Sequence, residues 1–236
     1  MNPLFLKFEN SLKKWYTLMI YFSRGLKDFI FGGYSEMAKK EYSAGIVSKG
    51  FWFLEFKKFF EYIKERKSEK EIKELQEKEN IFSAPSKEYG KRIFGEISKR
   101  VNILPEEIKG IFLQSDTGTQ KIINLLAVMM CDKLLSEYIY SSYRSEILLG
   151  TEIYLPKTVK HFIEDKAKQN EEVAKFTEST IKRMQGSYGN YLKEAGLLEE
   201  KEEKIYYRKI YMDYELENIM KDKGLTVYIK ALKGES

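Results

Sequence analysis

The part of the chain best suited to bind a charged partner is residues 179–195, STIKRMQGSYGNYLKEA. Apolar residues recur through this stretch at helical spacing, and two glycines, Gly186 and Gly189, lie among them. A glycine inside a helix costs about 1 kcal/mol relative to alanine. Two of them therefore imply either a break in the helix or a reason to keep the backbone bare.

A helical projection at 100° per residue separates this stretch into two faces. The predicted buried face contains Ile181, Met184, Tyr188, Tyr191, Leu192 and Ala195. The opposite face contains Ser179, Lys182, Arg183, Gly186, Asn190 and Lys193, with Gly189 at its border. Basic side chains contact phosphates, an amide can contact base edges, and glycine lets the backbone come close. The pattern predicts a DNA-binding helix; the alternative is a solvated basic face whose glycines merely bend the helix.

The residues that follow extend this interpretation. The helix closes with EAGLL, the acidic turn EEKEEK comes next, and KIYYRKIYM is the best strand candidate in the chain. This order is the outline of a winged helix, in which the third helix enters the major groove of DNA. A short helix at 171–176 and a turn at Thr177 would complete the helix-turn-helix. The acidic tip would repel phosphate, so a wing contact is expected from Lys204, Arg208 or Lys209 instead.

A second stretch, SKEYGKRIFGEISKRVN at residues 86–102, has a similar layout. Its predicted buried side contains Tyr89, Ile93, Ile97 and Val101. Its predicted outward side contains Lys91, Arg92, Gly95, Ser98, Lys99 and Asn102. Lys91, Arg92 and Lys99 are accordingly predicted to contact DNA, and the alternative is an ordinary charged surface on a lysine-rich protein.

The sequence gives little support to catalysis. The single histidine, His161, has no cysteine near it, and Cys131 lies in an apolar stretch that indicates a small core residue. No phosphate-binding loop ending in GK[ST] occurs in the chain. We therefore predict a protein that is not an enzyme, with no catalytic residue, metal ligand or cofactor.

Composition limits the class of protein. The 236 residues include 43% hydrophobic and 33% charged residues, which favours a folded protein over a disordered chain. The formal charge of +5 permits a polyanionic partner without requiring one. One cysteine excludes disulfide stapling and fits a reducing cytoplasm. The longest apolar run, residues 125–131, is too short to span a bilayer, so we expect a cytoplasmic protein without a membrane partner.

The predicted fold is mainly α: a compact helical protein with helix-turn-helix or winged-helix-like elements and a small β wing near the C-terminus. Residues 37–112 form an N-terminal helix-turn-helix-like region, and residues 113–155 hold a long apolar helix, at about 118–142, with its connection. Residues 156–236 form the winged-helix-like region. Residues 1–36 have two interpretations, an upstream extension before a true start at Met37 or an additional amphipathic helix.

Three segments resemble, in order and spacing, the BrxA family of bacteriophage exclusion (BREX) defence systems. They are YSAGIVSKGFWFLEFKKF, KRIFGEISKRVNIL and STIKRMQGSYGNYLKEAGLL, and the resemblance covers roughly residues 42–200. It implies a small, mostly helical, non-enzymatic protein with helix-turn-helix-like elements that binds DNA and is encoded beside the larger enzymes of a defence system. The resemblance does not indicate which residues contact DNA.

The leading functional hypothesis is a double-stranded-DNA-binding accessory protein of a BREX system that binds mainly through phosphate contacts. A second hypothesis is an interaction scaffold that contacts other BREX proteins through an aromatic N-terminal helix or through the helix at 118–142. A third is an RNA-binding protein. The sequence leaves the oligomeric state and any DNA sequence preference open.

Overall fold

The computed structural model describes residues 41–235, and the two interpretations of residues 1–36 lie outside this range. The described part is mainly helical, with one two-stranded antiparallel sheet near its C-terminal end. This confirms the mainly α class with a small β element. The proposed boundaries between regions stay predictions.

Four α-helices come first in the described part, and side chains cap two of them. They are α1 (Phe53–Lys64), α2 (Glu69–Glu79), α3 (Lys87–Ile103) and α4 (Glu106–Phe112). Ser68 and Glu71 form a capping box at the start of α2, because each side chain bonds the other residue's backbone N–H. The Ser86 hydroxyl caps α3 by accepting from the Tyr89 N–H. Helix α1 begins after Trp52, whose backbone angles are left-handed (φ 49°).

The apolar centre of the chain is not the single helix that was predicted over residues 118–142. Helix α5 (Thr117–Cys131) ends before Asp132, whose backbone is extended (φ −121°, ψ 105°). The Asp132 side chain then caps α6 (Lys133–Tyr138) by accepting from the Leu135 N–H at 2.9 Å. A π-helical turn (Ile139–Tyr143) and α7 (Arg144–Leu148) follow. The prediction was wrong because a capping aspartate starts a new helix here.

The C-terminal part contains helices on both sides of a hairpin. They are α8 (Lys157–Ala167), α9 (Glu171–Ala174), α10 (Glu178–Glu194), α11 (Tyr214–Asp222) and α12 (Thr226–Lys233). The hairpin pairs β1 (Leu198–Lys201) with β2 (Lys204–Tyr207), and Ile153 forms an isolated bridge to Tyr206 on the other side of β2. Part of the predicted acidic turn is therefore strand, whereas residues 208–212 of the predicted strand are not.

A short segment that precedes α1, residues 45–51, is called the strap below. It begins with a 3₁₀ turn (Gly45–Ser48) and contains two buried apolar residues, Ile46 and Phe51. Between these two anchors its backbone carbonyls face polar side chains from three helices.

Buried polar side chains bind the carbonyl oxygens of the strap. Arg100 of α3, which is 2% exposed, donates to Phe51 O at 2.7 Å and to Gly50 O at 2.8 Å. Asn124 of α5 donates to the same Phe51 oxygen at 2.9 Å, and the Tyr191 hydroxyl of α10 donates to Gly50 O at 3.0 Å. The strap therefore joins α3, α5 and α10 through hydrogen bonds that the interior shields from water.

Within residues 41–235, no helix combines the length and the apolar content that crossing a bilayer requires.

We expect replacement of Arg100 by methionine to lower the free energy of unfolding by about 2–3 kcal/mol, because two charge-assisted hydrogen bonds to buried carbonyls are lost. Lys99→Met is the matched control: the neighbouring Lys99 side chain is exposed, so a change within about 0.5 kcal/mol is expected. Urea denaturation of both variants measures the difference. Equal stability of the two variants would contradict the central role given to the strap.

Candidate nucleic-acid interface

Helix α10 is continuous through both of its glycines. Thr177 caps it by accepting from the Thr180 N–H at 3.2 Å, and the helix then runs for 17 residues without interruption. The face predicted to be buried is buried: Ile181, Met184, Tyr188, Tyr191, Leu192 and Ala195 all belong to the core. The amphipathic projection of this helix is confirmed, and the interpretation in which the glycines break it is wrong.

The two glycines of α10 have different surroundings. A Cβ atom built on Gly189 would lie 3.4 Å from the hydroxyl oxygen of Tyr154, which is buried. A Cβ atom built on Gly186 would meet no heavy atom within 4 Å. A side chain at position 189 would therefore pack in ordinary contact with Tyr154, whereas one at position 186 would meet open space.

The outward side of α10 is called the α10 basic face. It consists of Ser179, Lys182, Arg183, Gly186, Asn190 and Lys193, all exposed except the half-buried Lys193. The side chains of Lys182 and Asn190 make no hydrogen bond or ion pair with any residue in the range 41–235. Both groups are accordingly available to a partner.

The other cations of this face have partners in the protein. Arg183 Nη2 donates to the Val47 carbonyl oxygen of the strap at 3.3 Å, which leaves most of its donors free. The Lys193 ammonium pairs with the Glu200 carboxylate on β1. The hairpin thus partly neutralises the C-terminal end of the α10 basic face. The N-terminal half of that face keeps its positive charge.

A second basic surface lies on α3 and is called the α3 basic face. Its members, all exposed, are Lys91, Arg92, Gly95 and Lys99. The Arg92 guanidinium lies 4.6 Å from the ring centroid of Tyr89, a cation–π contact that orients it. Lys91 makes no ion pair within the described residues. A Cβ atom on Gly95 would meet nothing within 4 Å, as at Gly186.

Two residues that the sequence assigns to this face are hydrogen-bonded to α2. Ser98 is buried and donates to Glu69 Oε1 at 2.5 Å, and Asn102 Nδ2 donates to Glu69 Oε2 at 3.0 Å. These hydrogen bonds lower the pKa of the Glu69 carboxyl, with Asn102 the larger cause. The prediction that Ser98 faces outward was wrong because the start of α2 packs against this side of α3, whereas Asn102 is exposed as predicted.

The strap separates the two basic faces and contacts both helices. The Lys49 ammonium pairs with the Glu96 carboxylate of α3, and the Val47 carbonyl accepts from Arg183 of α10. Ser48, between them, is exposed. The structure therefore places α3 and α10 on either side of one short segment rather than in unrelated parts of the fold.

Neutral tyrosines lie behind the α10 basic face. Burial raises the pKa of Tyr191 to about 12 and that of Tyr154 to about 12, and it raises the pKa of Tyr188 far above the ordinary value. These hydroxyls remain protonated at physiological pH. They therefore add no negative charge behind α10 that would oppose a bound polyanion.

The hairpin has an acidic tip and a basic exit. Glu202 and Glu203 form the tip, both with positive φ angles (49° and 61°), and both are exposed. Lys204, Arg208 and Lys209, the cations that the sequence proposed for wing contacts, are exposed as well. Their positions agree with the sequence analysis, and their contact with DNA stays a prediction.

One exposed residue beyond the hairpin escaped the sequence analysis. Tyr211 is 95% exposed, although the run KIYYRKIYM predicted a strand in which such a ring would pack. The sequence holds no signal for this exposure, because Ile210, Tyr211 and Met212 are all apolar, and only the inward packing of the first and last leaves Tyr211 outside.

Residues 41–235 contain no group of three or more His, Cys, Asp or Glu side chains positioned to hold a metal ion. His161 is exposed on α8, and Cys131 is half-buried at the end of α5. The prediction of a protein without enzymatic activity is not tested by these positions.

Comparisons with known proteins agree with this architecture. The model of the BrxA family matches residues 40–224. A protein from Bacillus cereus (strain H3081.97), named BREX protein BrxA, is 26% identical over 200 residues, which cover 84% of this chain and 100% of that protein. The crystal structure of an uncharacterized protein from Magnetospirillum magneticum aligns with a TM-score of 0.69 at 13% identity, over 83% of this chain and 100% of that one.

The structural likeness, at that level of identity, shows a shared fold alone. The family match is broader evidence, because it includes the strap, both basic faces and the hairpin. The chain therefore belongs to the BrxA family of the BREX phage-defence system.

Proposed function

We propose that this protein is a non-enzymatic accessory component of a BREX system that binds double-stranded DNA, mainly through phosphate contacts. The observation that carries the proposal is the α10 basic face. Lys182, Arg183 and Asn190 are exposed around Gly186, a glycine that no packing contact requires. Cations, an amide and a bare backbone are the groups that let a helix lie close to a duplex.

The order of the elements around α10 supports the same proposal. Helix α7 is followed by the bridge at Ile153, then by α8, α9, α10 and the hairpin. A winged helix has this sequence of helices and strands, with its third helix in the major groove. The 17 residues of α10 are about 25 Å long, which exceeds the width of the major groove, about 12 Å.

Charge distribution favours phosphate as the main contact. Many surface lysines of this chain are paired with carboxylates, as Lys160 is with Glu178 at 3.2 Å. Lys182 and Lys91 are not paired within the described residues. Unpaired cations on an exposed face release counterions from DNA, and this gives affinity that depends steeply on salt.

The proposed contact set has two parts besides the α10 basic face. Lys91, Arg92 and Lys99 of the α3 basic face lie beyond the strap, and Arg208 lies at the exit of the hairpin. Each is exposed and can reach a phosphate oxygen on a partner. We include them as positioning contacts, without a role in base recognition.

The scaffold hypothesis loses one of its two proposed surfaces. Residues 122–129 of α5 are all buried, so this helix offers no apolar face to another protein. Other BREX proteins remain proposed partners through different surfaces. RNA binding is tested by competition between RNA and duplex DNA of the same sequence.

We expect Lys182→Glu combined with Arg183→Glu to abolish the mobility shift of a duplex, because two attractive phosphate contacts become repulsive. The thermal midpoint should change little, since both side chains are exposed. In the single variant Lys182→Ala, the slope of log K against log salt should decrease by about 0.9, the value for one phosphate contact. Fluorescence polarisation at several salt concentrations measures this slope.

Lys64→Glu combined with Lys70→Glu is the matched control, since it changes net charge equally at exposed positions of α1 and α2. Its DNA affinity should stay within about threefold of the original, because general attraction is screened beyond about 10 Å at 0.1 M salt. Equal loss of binding in the two double variants would reject a localised site on α10.

Gly186→Ala should have opposite effects on folding and on binding. The free energy of unfolding should rise by up to about 1 kcal/mol, because alanine favours a helix and its methyl group meets nothing. DNA affinity should fall by about fivefold to tenfold as the methyl group holds the backbone away from the duplex. Chemical denaturation and fluorescence polarisation measure the two quantities.

Gly90→Ala on α3 is the contrasting variant. Its Cβ atom would lie 2.3 Å from Gln76 Nε2, whose side chain is held by a hydrogen bond between Gln76 Oε1 and the Phe82 N–H. This variant should be less stable than the original protein. For Gly186→Ala, an unchanged affinity for DNA would contradict the proposal that the α10 backbone lies close to the duplex at this position.

A further inference from the structure

The segment that leaves the hairpin, residues 208–211, is called the exit segment. Its first residue is held at both backbone groups: the Arg208 N–H donates to Leu197 O at 2.9 Å, and Arg208 O accepts from the Tyr143 hydroxyl at 3.0 Å. Ile210 and Met212 then pack against the core. The backbone of this segment is therefore fixed even though it lies outside regular secondary structure.

Fixing the backbone directs the remaining side chains outward. Lys209 is exposed, and Tyr211 at 95% exposure has no hydrogen bond, ring contact or ion pair with residues 41–235. Arg208 and Lys209 also lack ion pairs within that range. Three neighbouring positions thus present two free cations and one free aromatic ring, held by a rigid support.

A second exposed tyrosine has different neighbours. Tyr214 is 80% exposed in the first turn of α11, between Asp213 and Glu215. Asp213 Oδ1 caps that helix by accepting from the Leu216 N–H at 3.0 Å. An anion is attracted at Tyr211 and repelled at Tyr214, so the two rings differ in charge environment rather than in exposure.

We propose that the exit segment binds an unpaired DNA strand adjoining the duplex that α10 holds. This inference rests on the proposed function. Tyr211 stacks on a base of the unpaired strand, Lys209 contacts the neighbouring phosphate, and Arg208 contacts the phosphate where that strand joins the duplex. Stacking on aromatic rings combined with basic side chains is how proteins hold single strands, whereas the bases of a duplex hide their faces within the stack. The exposed Tyr211 ring beside the cations Arg208 and Lys209 is therefore suited to bind a single strand.

The experiment measures polarisation of three labelled DNA molecules: a blunt duplex, the same duplex with a single-stranded tail, and the single strand. The original protein should bind the tailed duplex more tightly than the blunt one. Tyr211→Ala should weaken binding to the tailed duplex and the single strand by about tenfold, a value in the range for loss of one stacked base. It should leave the blunt duplex within about twofold.

Two further variants identify the contact. Tyr211→Phe should retain the preference for a tail, because it keeps the ring. Tyr214→Ala should bind all three molecules as the original does, because its neighbours in the chain, Asp213 and Glu215, are acidic. Loss of the preference in Tyr211→Phe, or the same loss in Tyr214→Ala as in Tyr211→Ala, would overturn stacking by Tyr211.

The same measurement separates this inference from the proposed function. If the original protein binds the blunt duplex but gains nothing from a tail, the exit segment has no such role and duplex binding stands. If it binds only the single strand, duplex binding is rejected and the exit segment stands. A matching RNA strand bound more than tenfold tighter than the DNA strand would overturn the assignment to DNA.

Discussion

A buried guanidinium is stable only when its donors are satisfied, and the arrangement of this protein depends on how Arg100 meets that requirement. Its partners are the carbonyl oxygens of Gly50 and Phe51, and its guanidinium also lies 5.6 Å from the ring centroid of Trp52. Because these partners are consecutive residues, satisfying one side chain fixes the strap and the start of α1. The Tyr191 hydroxyl of α10 also donates to the Gly50 carbonyl oxygen, so the position of α10 relative to α3 follows from the same contacts.

Local patterns in the sequence predict the helices, whereas interactions between residues far apart in the chain determine which segments the helices pack against. The caps at Ser68 and Ser86 and the buried side of α10 are visible in windows of a few residues, because they depend on neighbours in the chain. The bond between Tyr191 and Gly50 joins positions 141 residues apart, and no local pattern encodes it. Burial of Ser98 has the same cause, since α2 packs on a side of α3 that periodicity alone assigns to solvent.

At the candidate site, too, the sequence predicts which residues share a helix face but not what surrounds each of them. The basic and amide residues of α10 were predicted correctly as an exposed face, yet the two glycines within it looked equivalent. Only their surroundings separate Gly189, which packs on Tyr154, from the open Gly186. Tyr211 was missed because β-like alternation normally supplies a ring with cross-strand neighbours, and pairing here ends at Tyr207.

Electrostatics along α10 favours one end of the helix for a polyanion. The N-terminal half carries Lys182, Arg183 and the positive end of the helix dipole, which attracts phosphate. At the C-terminal end, Lys193 is paired with Glu200, and the tip of the hairpin adds further carboxylates. The positive charge of α10 is therefore concentrated in its N-terminal half, where Arg183 contacts the strap. In the proposed binding mode, the carboxylates of the hairpin tip oppose a conventional wing contact and favour a duplex that lies over the N-terminal half of α10.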